Sequence, residues 1–403
     1  MEQVLYKLPN GWKWQELADV VVKTENLNPL KHANQLWTYI DISSVDRDRF
    51  TVTDPQKILG EDAPSRAKRH VQLNDVIFAT TRPNLKNIAL IRNEYSSPVA
   101  STGFCVLRAN ENVLPAYLFY FVTTDFVQAQ IEPYVGGASY PAITDGNLKK
   151  TPIPIPSIEE QKLIVEKLDA LLPRINASIE HLQESITLAN SLSKSGLLEI
   201  FKGLKDNHEV VPLSSVVKIN SGIALPKLFK NGFTDGDIPF FKVAQMNNHH
   251  ENMVDPEITF NKTVAKKYKV RLFPKGSTLI PKRGGAILTN KKRMLLEDAS
   301  YDSNIMGLKA DESKISDHYL FAFMRTIDLA NFVDASTIPQ VNNKHIDQMQ
   351  IPLASIEEQA DVVNQVNLLV KKVKAMNFEI QRQLNDLQSL KNSILDSAFK
   401  GAL

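Results

Sequence analysis

Side chains able to bond to phosphates or to the edges of nucleobases gather at two places in this chain. Thr80, Thr81, Arg82, Asn84 and Lys86 follow the apolar run of NDVIFATTRP and supply hydroxyl, guanidinium, amide and ammonium groups in one short stretch. Groups of these types can pair with base edges or with phosphate oxygens, and the same composition also fits a polar turn that closes a strand. Lys282 and Arg283, followed by Gly284-Gly285, hold a similar place in the second half, where the glycines permit close backbone approach. Lys262, Lys266, Lys267, Lys269, Arg271 and Lys275 crowd one stretch, and Lys291, Lys292 and Arg293 form another. A single basic run is as well explained by a solvated surface, but two of them flanking one loop-rich region point toward phosphate contacts.

Motifs for catalysis are missing from the sequence. There is no G-x-G-x-x-G after a strand, no N-P-P-[YF] or D-P-P-Y loop, no phosphate loop and no H-E-x-x-H. The near-misses, Asn28-Pro29-Leu30 and Pro274-Lys275-Gly276-Ser277, do not complete their motifs, and His249-His250 lacks further ligand-type neighbours. The sequence therefore predicts a protein that is not an enzyme and that has no cofactor and no metal. A single cysteine, Cys105, excludes an internal disulfide framework and fits a reducing cytoplasm. No apolar run approaches the ~20 residues of a membrane helix, and the opening MEQVLYKLPN lacks the pattern of a signal peptide, so the expected location is cytoplasmic, away from membranes. The net charge of +2 is too small to argue for a nucleic-acid partner by itself.

The elements that must position these groups occur twice. SIEEQ at 157–161 returns at 355–359 and FKG at 201–203 returns at 399–401, both at an offset of 198 residues. Tyr117-Leu-Phe-Tyr-Phe121 is echoed by Tyr319-Leu-Phe-Ala-Phe323 at an offset of 202, and Leu17, Val20 and Val21 by Leu213, Val216 and Val217 at 196. Each unit is thus expected to begin with a short helix and end with a long one. The prolines of TPIPIPSIEEQ enforce extended backbone, after which Ser157 with Glu160, and Ser355 with Glu358, make capping-box starts. Leu168, Leu172, Ile175, Ile179, Leu182, Ile186 and Ala189 alternate at coiled-coil spacing, and Val366, Val370, Val373, Asn377, Ile380, Leu384 and Leu387 answer them. Gly203 and Gly401 stand where C-cap glycines belong, and Pro173 is expected to kink or break the first helix. About 45 residues at ~1.5 Å rise predict a rod of roughly 70 Å, and an antiparallel pair would put the variable parts at opposite ends, as in a dumbbell. Upstream of the helices, LWTYIDISSVD, NDVIFATTRP, KNIALIRN and GFCVLRA alternate in strand fashion, answered by IPFFKVAQMN, GSTLIPKRGG and IMGLKAD. Supporting helices are expected over 115–128 and 317–330.

The order LPNGWKWQELADV, NDVIFATTRP, STGFCVLR and IPIPSIEEQKLIVEKLDALLPRI, with its repetition, resembles the specificity subunit of type I restriction-modification systems over essentially the whole chain. The proline-rich entry into an EEQ helix, occurring twice, is the most specific part of the likeness. The resemblance implies an α+β protein with two pseudo-repeated target recognition domains, each a small mixed sheet plus helices. A long antiparallel two-helix coiled coil would separate them with pseudo-two-fold symmetry. The implied bounds are 1–154 and 206–352 for the recognition domains, and 155–205 and 353–403 for the spacer helices. It implies double-stranded DNA as partner, two methyltransferase subunits docked on the helices, restriction subunits using ATP in the full complex, and S-adenosylmethionine bound elsewhere than on this chain. It also places near DNA the corresponding stretches GGASYPAIT and ASTIPQVNN, hence Ser139, Tyr140, Gln340, Asn342, Asn343 and Lys344. A coiled-coil scaffold with protein-binding variable domains, and an enzyme with an unfamiliar motif, are the competing readings.

Overall fold

A computed structural model of the protein describes residues 5–137, 139–230, 232–333 and 338–403. Met1 to Val4 of the opening segment, Ala138 in GGASYPAIT, and Ala335, Ser336 and Thr337 in ASTIPQVNN lie outside the described residues. The chain forms two compact units, one of residues 1–184 with 380–403 and the other of 185–379.

In the first unit, strands Val21–Val22, Phe104–Ala109, Val76–Ala79 and Ile88–Leu90 lie side by side as an antiparallel sheet. Val76, Phe78, Cys105 and Leu107 alternate onto one face, against the helix Pro115–Val122, and build the main core. Ile77, Ala79, Phe104 and Val106 alternate onto the other face and form a second cluster with Ile40 and Ala100 of the next sheet. Apolar residues on both faces are what a sheet between two layers requires. In the second unit, Val217–Ser221, Ile305–Ala310, Thr278–Pro281 and Arg293–Met294 repeat the sheet in the same order. The companion sheets share three strands: Leu36–Ile40 pairs parallel with Pro98–Ser101 and antiparallel with Gln56–Leu59, as Ile238–Phe241 does with Ser300–Tyr301 and Ile258–Phe260. The fourth strand differs. Ala67–His70 joins Pro98–Ser101 in the first unit, whereas Phe233–Asp235 joins Ile258–Phe260 in the second, at the opposite edge.

Two long helices, Ile158–Asn207 and Ile356–Phe399, each contribute to both units. Within the first unit, Leu168 and Leu172 near the start of one share the core with Leu395 and Phe399 at the end of the other. Within the second, Leu197 and Phe201 near the end of the first share it with Val362 and Val366 near the start of the second. In each unit, therefore, the pair runs antiparallel. Seam residues of both repeats are buried or half-buried along their whole length, and Asn377 donates its amide to Asn190 Oδ1 at 2.9 Å. Both capping boxes close: the Ser157 N–H reaches Glu160 at 3.1 Å and the Ser355 N–H reaches Glu358 at 3.0 Å.

Several helix boundaries differ from those expected. No helix boundary falls at Pro173, since the helix continues through it; Pro173 itself is exposed, while Leu172 and Ile175 beside it are buried and hold the register. Gly203 does not end its helix, which runs on to Asn207 and seats Leu204 against the core of the second unit. Gly401 does serve as a C-cap, at φ +71° with the Ala402 N–H reaching Ser397 O at 2.9 Å. The supporting helix expected over 115–128 is split: Pro115–Val122 ends, Thr124 caps, and Asp125–Ile131 begins anew. Its counterpart, Asp317–Met324, is followed only by the 3-10 turn Leu329–Phe332.

Candidate nucleic-acid interface

In the first unit the central strand Val76–Ala79 runs out into Thr80-Thr81-Arg82, which crosses the segment 141–143 antiparallel. Arg82 N–H bonds to Pro141 O at 2.6 Å, Thr81 bridges Ala142, and Ile143 N–H bonds to Thr80 O at 2.9 Å. Thr80 is turned inward, its hydroxyl on Gly103 O at 3.0 Å, so it builds the crossing and is not displayed by it. Arg82 follows at φ 50°, ψ 56°, a left-handed conformation that costs a non-glycine residue roughly 1–2 kcal/mol. The turn Pro83–Leu85 then ends at Lys86, also left-handed. Lys86 is committed to the protein, donating to Thr123 O at 3.0 Å and pairing with Asp125 at 2.7 Å. Asn84 lines a cleft of about 860 Å³ together with Lys86, Asn176 and Lys391. Ser139 and Tyr140 are exposed, and the guanidinium carbon of Arg82 sits 5.4 Å from the centre of the Tyr140 ring.

The second unit repeats this crossing with other residues. Gly284 N–H bonds to Pro339 O at 2.9 Å, Arg283 bridges Gln340, and Val341 N–H bonds to Lys282 O at 3.0 Å. Backbone equivalence therefore sets Lys282 on Thr80, Arg283 on Thr81 and Gly284 on Arg82, so the two arginines stand one residue apart. Gly284 takes φ +77° at the position where Arg82 is left-handed. Lys282 Nζ reaches Ser221 Oγ at 3.0 Å, and Arg283 donates to Gln340 Oε1 at 3.2 Å while remaining exposed. Asn342 corresponds to Thr144: each caps a short helix, Thr144 through the Asn147 N–H and Asn342 through those of Lys344 and His345. Asn343 and Lys344 open that helix on its exposed side.

Among the basic residues 291–293, only Lys291 leaves its side chain unengaged with the fold. Lys292 is buried, with its ammonium on Ile327 O and Asn290 Oδ1, and burial pushes its pKa down to about 7. Arg293 is buried too, holding Asn248 Oδ1 at 3.1 Å and Asn248 O at 2.8 Å, and desolvation lowers its pKa. Both cations are spent inside the second unit.

Sequence reasoning missed the residues that tie the segments 112–117 and 314–319 to the long helices and their proline-rich entries. Gln161 is fully buried: its Oε1 accepts the Leu114 N–H at 2.8 Å, and its Nε2 donates to Asn112 O at 2.9 Å and Pro156 O at 3.2 Å. Gln359 repeats the clamp on Ser316 N, Lys314 O and Ala354 O, at 2.8, 3.0 and 3.0 Å. The hydroxyls of Tyr117 and Tyr319 bond to Pro154 O and Pro352 O at 2.7 and 2.9 Å. Phe399 packs on Tyr117 and Phe121, and Phe201 on Tyr319 and Phe323. The signal was present, since each of these is a repeated letter of the sequence, but a repeat does not say what its members touch.

The family model described as the type I restriction modification DNA specificity domain matches this chain twice, over residues 9–188 and 205–386. The chain belongs to that family. It is the DNA specificity subunit of a type I restriction-modification system, a non-catalytic component of that enzyme and part of its complex assembly. The StySPI specificity subunit of Salmonella potsdam is 22% identical over 431 residues, covering 98% of this chain and 90% of the relative. A solved chain from work on complex assembly and conformational transition of the type I R-M system is 30% identical, with a TM-score of 0.84 over 99% of this specificity subunit and 100% of that chain. The HsdS subunit from Thermoanaerobacter tengcongensis is 29% identical with a TM-score of 0.56, each chain covered completely. Among the described residues, no helix is long and apolar enough to cross a membrane, and no group of three or more His, Cys, Asp or Glu could hold a metal ion.

Proposed function

We propose that residues 1–154 and 206–352 act as two recognition domains, each reading one half of a bipartite, asymmetric target in double-stranded DNA. The observation that carries this reading is the repeated crossing. One backbone device, 80–82 on 141–143 and 282–284 on 339–341, displays Arg82 and Tyr140 in the first unit but Arg283 and Gln340 in the second. A shared scaffold with exchanged side chains is what two different half-sites demand. Ser139, Thr81, Asn84, Lys282, Lys291, Asn343 and Lys344 are the further groups available to the DNA, as phosphate or base contacts. Thr80, Lys86, Lys292, Arg293 and Asn342 serve the fold.

The helical segments 155–205 and 353–403 fix the unread spacing and dock two methyltransferase subunits, with restriction subunits joining the same complex in the cytoplasm. Each methyltransferase would take a flipped adenine from one half-site, using S-adenosylmethionine that this chain does not bind. Footprinting of the chain with its methyltransferase tests the reading. Two protected blocks separated by a fixed unread gap are expected, whereas weak, sequence-independent protection would identify a scaffold instead.

A further inference from the structure

The two exposed arginines at the crossings differ from five of the chain's thirteen arginines in what they face. Arg49, Arg66, Arg69, Arg108 and Arg325 all face carboxylates within 2.6–2.8 Å. Arg82 has no carboxylate within ion-pair distance among the described residues, and its side-chain partner is the face of Tyr140, 5.4 Å from the ring centre. Among the described residues no hydrogen bond engages the N–H groups of this guanidinium, which therefore stay available as donors. Arg283 likewise has no described carboxylate partner, and it spends one N–H on Gln340 Oε1 at 3.2 Å. Gln340 belongs to the crossing segment and Tyr140 directly precedes its counterpart, and the backbone beneath is pinned in each unit by two hydrogen bonds of the crossing. Arg82 is further held in its left-handed conformation by the 2.6 Å bond to Pro141 O, a strained backbone of the sort retained where it aims a functional group.

An aimed, unneutralised guanidinium fork on a strand-end loop fits one base above the others, because O6 and N7 of guanine offer two acceptors in the major groove that match its parallel N–H groups. We propose that Arg82 and Arg283 each read a guanine in their own half-site, with Tyr140 and Gln340 as the residues that position them. This deepens the recognition reading and rests on it. The one-residue offset between the arginines places the two guanines at non-equivalent steps of the two half-sites, and the different supports make the two readers separately tunable.

The test uses the complex of this chain with its methyltransferase, and duplexes carrying the mapped target with 7-deazaguanine in place of one guanine at a time. Removing N7 at the guanine read by Arg82 is expected to weaken the wild-type complex about ten- to a hundredfold. The Arg82→Ala complex should already carry that loss, and 7-deazaguanine should cost it nothing more. Arg82→Lys should recover only part of the lost affinity, since an ammonium reaches O6 and N7 without the rigid planar fork. Tyr140→Ala should lose part of the discrimination, and Tyr140→Phe, which keeps the ring face, should retain it. Arg283 and Gln340 are tested in the same way at the other half-site. A uniform loss on every duplex for Arg82→Ala, with Arg82→Lys restoring binding and 7-deazaguanine still costing the variant as much as the wild type, would overturn the proposal in favour of a phosphate clamp. A wild-type target with no guanine in its half-sites would overturn it alone, and the absence of any bipartite target would overturn the recognition reading beneath it.

Discussion

Lys292 offers the sharpest test of how the structure divides its basic residues between fold and surface. Its ammonium is buried in the second unit, donating to Ile327 O and Asn290 Oδ1, and Asn290 Oδ1 also accepts the Leu329 N–H at 2.9 Å. Burial is the main cause of its depressed pKa; Asp328 acts in the opposite direction, but lies 3.5 Å from Lys194, which adds to the depression. A fall from 10.5 to about 7 corresponds to a charging cost of order 4–5 kcal/mol. Below pH 7 the folded and unfolded states both hold the proton, and the whole cost is present. Between pH 7 and 10.5 the unfolded chain binds more protons than the folded one, so stability rises with pH, by roughly 2 kcal/mol from pH 7 to pH 9. Lys292→Met removes this gain, while leaving Ile327 O and Asn290 Oδ1 short of a donor, at about 1–3 kcal/mol. Urea unfolding of both proteins at pH 7 and pH 9 should show a wild-type stability that climbs relative to the variant by about 2 kcal/mol, all other titrations cancelling. Parallel pH profiles, within about 0.5 kcal/mol, would refute the burial argument. So would a selective loss of DNA affinity in a variant that is otherwise equally stable.

Further outcomes follow from the repeated residues. Gln359→Leu leaves Ser316 N, Lys314 O and Ala354 O without their partner and should destabilise the second unit by about 3 kcal/mol or more, read as an early urea transition; Gln161→Leu should do the same to the first. Phe201→Ala should cost about 3–5 kcal/mol and increase amide exchange in 185–379, where Phe201 packs on Tyr319 and Phe323, and Phe399→Ala should do so in 1–184 with 380–403. Equal loosening of both units by either change would contradict this assignment of contacts.

The legible part of the protein was its periodicity. The seam, the capping boxes and the strands are local patterns, and Ser157, Leu168 and Val76 sit where their neighbours in sequence put them. What stayed hidden depends on partners far along the chain. A run such as Lys291-Lys292-Arg293 reads as a surface because charge is costly to bury, yet Ile327 O and Asn248, unforeseeable from the run itself, take up two of its three cations. Gln161 looked like an ordinary helix residue until Asn112 and Leu114, almost fifty positions upstream, came to it. Gly203 failed as a stop because Leu204 had a core to enter, and glycine ends a helix only when the next residue gains nothing by continuing. Arg82 and Arg283 were paired by their common setting after a strand, but the register of a loop is decided by the strand it crosses, and that register differs by one residue.

Whether two different readers share one scaffold is decided by a methylation map. The chain would be co-expressed with its methyltransferase subunit, and methylated adenines located across the host genome by single-molecule sequencing. A single asymmetric motif of two dissimilar halves with a fixed unread gap is the predicted result, and Arg82→Ala should degrade one half while leaving the other intact. A stable complex that methylates nothing new, or a motif with identical halves, would rule out two different readers on this chain.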